Sequence, residues 1–99
     1  MKRYEYDNGA LLYIRTLFKS DTAAYFLLAD GRVAFCDLTP PTYAEYGQKP
    51  YAPVIYDGDK ALTVLRTIAD NMSYETDEDF LLDIADAIAC GEDLSEYAE

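Results

Sequence analysis

All four prolines of this chain fall between residues 40 and 53, and they divide its 99 residues into two parts with different hydrophobic periods. The stretch "TPPTYAEYGQKPYAP" (39–53) also contains Tyr43, Tyr46, Tyr51 and Gly47. Proline fixes φ and removes a backbone donor, so this stretch predicts an irregular loop with at most a short helical turn. The fold must be assembled from the segments on either side of the loop.

Before the loop the pattern is that of strands. "KRYEYDNG" alternates polar and apolar residues and ends in Asn8-Gly9, a tight-turn signal. "ALLYIRTLF" (10–18) is rich in branched and aromatic residues and reads as one strand, followed by the polar turn "KSDT". "AAYFLLADGRVAFCDL" reads as two strands joined at Asp30-Gly31. Residues 1–38 therefore predict β-hairpins in a meander. After the loop, Val54-Ile55-Tyr56 returns as a short edge strand with Pro53 at its start.

From Asp57 the period changes to that of a helix, predicted over 57–72. Ala61, Leu65, Ile68 and Met72 form its apolar stripe, Leu62 and Ala69 widen it, and Asp57 or Asp59 is placed to cap it. A second helix is predicted over 77–90. It opens with Thr76, and Asp79 gives an acidic variant of the capping box. Phe80, Ile84, Ala87 and Ile88 form its core stripe, Leu81 and Ala85 flank it, and Gly91 is suited to the left-handed stop. Residues 91–99 make an acidic tail. A short connection between the helices favours an antiparallel pair. The predicted fold class is α+β: a three- to four-stranded antiparallel sheet (β-meander), then an antiparallel helix pair packed on one face. The length suits a single compact domain over 1–99 with one core and little room for a deep catalytic cleft.

Charge is distributed as unevenly as proline. Residues 1–66 hold eight basic and eight acidic side chains, whereas residues 67–99 hold eleven acids and no base, so the whole net charge of −11 arises there. No apolar run approaches the ~18 residues of a membrane span, and Glu5 and Asp7 interrupt the start before any leader-like apolar region forms. A cytoplasmic protein with Cys36 and Cys90 reduced is expected.

Catalytic templates find little purchase. With no His, Ser-His and Cys-His pairs are excluded, and neither a phosphate-binding Gly-rich loop nor a dinucleotide fingerprint occurs. "DGD" (57–59) and "DED" (77–79) resemble the first residues of a calcium loop but lack its Gly at position 6 and Glu at position 12. No enzyme, no metal and no cofactor is expected. Direct nucleic-acid binding is disfavoured because phosphates require Lys and Arg.

Two groups of residues are candidates for partner binding. Asp79, Asp83 and Asp86 recur at spacings of four and three, on one helical face; Glu75, Asp77 and Glu78 extend the acidity before them, and Glu92 and Asp93 beyond. First-turn acids stabilise a helix, but Asp83 and Asp86 are like charges in a helix interior, where Asp is a poor helix former. Tyr43, Tyr46 and Tyr51 are the second group, because tyrosine gives a large contact area at small entropy cost. These features point to a non-catalytic acidic binding protein that inhibits or masks a basic protein surface. Nucleic-acid mimicry of the phage or mobile-element anti-defence kind (anti-restriction or anti-CRISPR) and immunity-like inhibition of a basic toxin are two roles that would use it. The alternative is a small structural or regulatory domain that self-associates, as a homodimer, through the Tyr/Pro loop or an edge strand, with the acids serving only solubility.

Overall fold

The computed structural model describes residues 1–6, 9–39, 52–71 and 75–99, with 75–77 described by backbone only. Tyr43, Tyr46 and Tyr51 lie outside the described residues, as do Asp7, Asn8 and Met72 and the side chains of Glu75, Thr76 and Asp77. The described elements are β1 (Lys2–Tyr6), β2 (Gly9–Tyr13), β3 (Arg15–Lys19), β4 (Ala23–Leu27), β5 (Val33–Asp37), β6 (Val54–Tyr56), α1 (Gly58–Asp70) and α2 (Glu75–Ala89), then a 3₁₀ turn over Ser95–Tyr97. The fold is α+β. A four-stranded antiparallel sheet in the order β3-β4-β5-β6 carries both helices, and β1 and β2 form a separate two-stranded sheet.

The predicted single strand over 10–18 is corrected to two. The chain leaves β2 at Tyr13, bends at Ile14 and enters β3 in the other sheet. Tyr, Ile, Thr and Phe in "ALLYIRTLF" favour extended backbone and none of the nine residues is a turn former, so local preference gives no signal for the break. Tertiary contacts produce it: the buried Ile14 donates its N–H to the Leu27 carbonyl at 2.8 Å, and its own carbonyl accepts the Glu99 N–H at 2.8 Å.

The break allows both faces of the main sheet to be covered. On β4 and β5 alternate residues point to opposite sides. Leu27 and Val33 are opposed across the ladder and join Leu17 from β3 with Ala61, Leu65, Ile68, Leu81, Ile84 and Ala85 in the helix-side core. Ala24, Phe26, Ala34 and Cys36 point the other way, into a second core closed by Tyr4, Leu11 and Tyr13 of the β1–β2 hairpin. Tyr13 packs on Phe26 with ring centroids 4.1 Å apart. The architecture is therefore hairpin, sheet, helices, in three layers.

The Asp30-Gly31 turn is longer than two residues. Leu28 and Arg32 pair, Gly31 donates to the Leu28 carbonyl, and Gly31 takes φ +89°, which a side chain would strain. Asp30 holds the turn by accepting from the Arg32 backbone N–H and from its guanidinium.

α1 buries Ala61, Leu65, Ile68 and Ala69, following the predicted spacing. Asp57 stands at its N-cap without a side-chain capping bond, so the capping role read from the sequence is corrected to a positional one. α2 begins at Glu75, which places Thr76 inside the first turn rather than ahead of the helix. Its buried stripe is also turned slightly from the expected one: Leu81, Ile84, Ala85 and Ala87 are buried, and Phe80 and Ile88 lie at the margin. No described helix is long and apolar enough to cross a membrane.

Candidate acidic interface on the second helix

The seven-residue interval from Asp79 to Asp86 on α2 spans about 10 Å at roughly 1.5 Å per residue. Asp79, Asp83 and Asp86 are all exposed, as their 3.6-residue phase against the buried Ile84 and Ala85 requires. Glu78 is half-buried, and Glu92 and Asp93 are exposed beyond the helix end. Among the described residues the ion pairs are Lys2–Glu99, Arg3–Glu5 and Arg32–Asp30, so the three helix aspartates have no basic partner there.

The tail acids divide into two kinds. Asp93 serves local structure: its carboxylate accepts the Ser95 backbone N–H at 3.0 Å and the Ser95 hydroxyl at 2.9 Å, opening the 3₁₀ turn. Those two bonds hold its carboxyl below the usual carboxylate range. Glu99 returns to the sheet. The Thr16 backbone N–H donates to its carboxylate, Lys2 lies 3.5 Å away, and the first of these contacts does most to hold the acid below its ordinary range. Glu92 remains beside the helix strip.

Two residues outside the sequence-derived candidates shape the strip. Arg15 stands with its guanidinium carbon 4.7 Å from the centre of the Phe80 ring and donates through Nε–H to the Tyr97 carbonyl. Tyr97 meets Phe80 edge-on at 5.8 Å. Burial, followed by the charges of Glu96, Asp83 and Glu92, pushes the Tyr97 phenol up, so this ring sits among the acids. The start of the strip thus borders a neutral aromatic pair and one fixed cation. Neither could have been found from spacing, because Arg15 and Tyr97 are 82 positions apart.

Elsewhere the site chemistry is sparse. Among the described residues no three His, Cys, Asp or Glu side chains converge as metal ligands. Cys36 and Cys90 are both free; Cys36 is buried under the hairpin, where burial pushes its thiol up to about 11, and Cys90 is exposed after α2. Among known proteins, the chain matches no family model, no curated protein and no solved structure.

Proposed function

We propose that this protein is a non-catalytic acidic binding protein whose α2 strip docks on a basic surface of another protein. The observation that carries the reading is the row Asp79, Asp83, Asp86: exposed, on one face, and without a basic partner among the described residues. Like charges at these spacings repel by a few tenths of a kcal/mol, and Glu-Lys pairs would have given solubility without that cost. Excess Asp and Glu also serve solubility, but that role asks for no particular placement, whereas here the acids of residues 67–99 include a row on one helix face.

Nucleic-acid mimicry is the role that best uses such a row. Along the helix axis the carboxylates advance by about 6 Å and then about 4.5 Å. A DNA strand advances roughly 3.4 Å per phosphate, so the row covers the pitch of one to two nucleotides per step. A phosphate-binding site on a nuclease or other defence complex, built from Lys and Arg, is the matching partner chemistry.

The test compares two triple variants carrying the same net charge. Asp79→Asn with Asp83→Asn and Asp86→Asn removes the strip. Glu5→Gln with Asp21→Asn and Asp70→Asn removes three exposed charges elsewhere. The reading expects basic partners captured at about 50 mM salt to be released near 200 mM, to be lost with the first variant and to be kept by the second. Equal loss with both variants would reduce the acids to a net-charge effect and overturn the proposal.

A further inference from the structure

β3 is the outermost strand on one side of the main sheet, and its edge is filled from within the chain. The bend at Ile14 sends that residue's N–H to the Leu27 carbonyl of β4 and leaves its own carbonyl facing outward, as the Thr16 N–H does. Glu99 takes both outward groups: its N–H donates to the Ile14 carbonyl at 2.8 Å, and its side-chain carboxylate accepts the Thr16 N–H. In a parallel ladder one residue bridges two on its neighbour in this way, donating to residue i and accepting from residue i+2. Glu99 reproduces that pattern with its carboxylate in place of a backbone carbonyl. The approach is strand-like as well. Ala98 is extended at φ −66° and ψ 141°, and the Tyr97 carbonyl before it accepts from the Arg15 Nε–H.

We propose that residues 97–99 are an autoinhibitory strap, occupying in cis a strand-addition site on β3 whose ligand is an extended acidic peptide. The segment seated there defines that chemistry. Strand addition draws affinity from main-chain bonds and selectivity from side-chain contacts. Here the main-chain groups are the Ile14 carbonyl and the Thr16 N–H. The side-chain contact is a carboxylate that has Lys2 3.5 Å away and the charge of Arg15 nearby. A chain of net charge −11 thus keeps a small cationic corner, and one of its own acids closes it. The α2 strip calls for the opposite charge, so the two surfaces select different partners.

The site is short, because a bulge between Thr16 and Phe18 interrupts the edge. The strap itself bounds its affinity. A tethered segment acts at an effective concentration of several mM, so filling the site about nine-tenths of the time requires a dissociation constant of about 0.5 mM or lower for the same segment free in solution. Weakening the strap in cis therefore frees the site for the same sequence in trans.

Amide-resolved NMR of the full chain is the test, in about 0.2 M NaCl to screen repulsion between acidic partners. The probe is a peptide with the sequence of residues 95–99, acetylated and amidated so that only side-chain carboxylates are offered. Glu99→Lys should speed exchange of the Thr16 N–H at least tenfold and leave the Ile14 N–H, bonded to Leu27, as protected as in the parent. The peptide should bind this variant with a dissociation constant of about 0.5 mM or lower, read from the Thr16 resonance, and the parent at least tenfold more weakly. A peptide with Gln in place of its last Glu should bind several-fold more weakly. Glu99→Gln should give the same pattern at smaller amplitude, and the Asp79/Asp83/Asp86→Asn variant should behave as the parent. Unchanged Thr16 exchange, loss of Ile14 protection alongside it, equal peptide binding by parent and variant, or indifference to the Gln exchange overturns the proposal.

Discussion

Arg15 joins three elements, and replacing it should loosen all of them. Its guanidinium lies over the Phe80 ring of α2 at 4.7 Å, its Nε–H bonds the Tyr97 carbonyl of the tail, and its backbone sits in β3 opposite Leu27. A half-buried cation–π contact is worth roughly 1 kcal/mol. A hydrogen bond from a charged donor adds about 1.5 kcal/mol, the low end being appropriate where water still reaches the group. Arg15→Met keeps most of the apolar stem and removes both interactions, so a loss of about 2–3 kcal/mol is expected. For a domain of this size that lowers Tm by about 10–20 °C. Arg15→Lys keeps a charge but not the flat face, and should lose about half as much. Urea melts followed by circular dichroism give the free energies; tyrosine emission, available because the chain has ten Tyr and no Trp, gives a second probe. A double-mutant cycle with Phe80→Leu isolates the ring contact, expected at about 0.5–1 kcal/mol. An Arg15→Met cost below about 0.5 kcal/mol, or a cycle with no coupling, would refute the picture of Arg15 as a clasp.

Three further outcomes rest on particular residues. Glu99 is held below its ordinary range by the Thr16 N–H above all, aided by Lys2 and Arg15. A carboxyl whose folded pKa is depressed contributes stability that is present above its unfolded value, near 4.3, and is lost as pH falls through the folded value. Acid titration of stability should accordingly be shallower below about pH 4.3 in Glu99→Gln than in the parent, as read from urea midpoints at successive pH values. Leu65 is fully buried at the centre of the helix-side core, and Leu65→Ala should cost about 2–5 kcal/mol by the same melts. At pH 8 a thiol reagent should label Cys90 and spare Cys36, whose thiol is both buried and pushed up to about 11; both should react in urea.

Much of this fold can be read locally. The Asp30-Gly31 reversal, the return of Val54–Tyr56 to a sheet edge and the 3.6-residue stripe of α1 each depend on residues within a few positions of one another. The acidic row is legible for the same reason, since spacings of four and three place Asp79, Asp83 and Asp86 on one face whatever α2 packs against. The features that escape a local reading depend on partners distant in sequence. The bend at Ile14 needs Leu27 and Glu99, and the displacement of Phe80 from the core stripe to its margin needs Arg15 and Tyr97. Asp93 is an instructive middle case. Its bonds to Ser95 arise from an Asp two residues before a Ser, a pattern open to local reading but masked by the density of acids around it.

The closure of the β3 edge by residues 97–99 bears on how this protein is made. Arg15–Tyr97 and Thr16–Glu99 bridge 82 and 83 positions. A ribosome delivers residues 1–38 first, and β3 emerges long before the segment that covers it. Until residues 97–99 have emerged, the nascent β3 edge lacks the groups that cover it. Such contacts must wait for loop closure over that whole separation, which slows the last step of folding and prolongs exposure to other nascent chains. The β3 edge is thus exposed to misassembly for as long as residues 97–99 have yet to reach it.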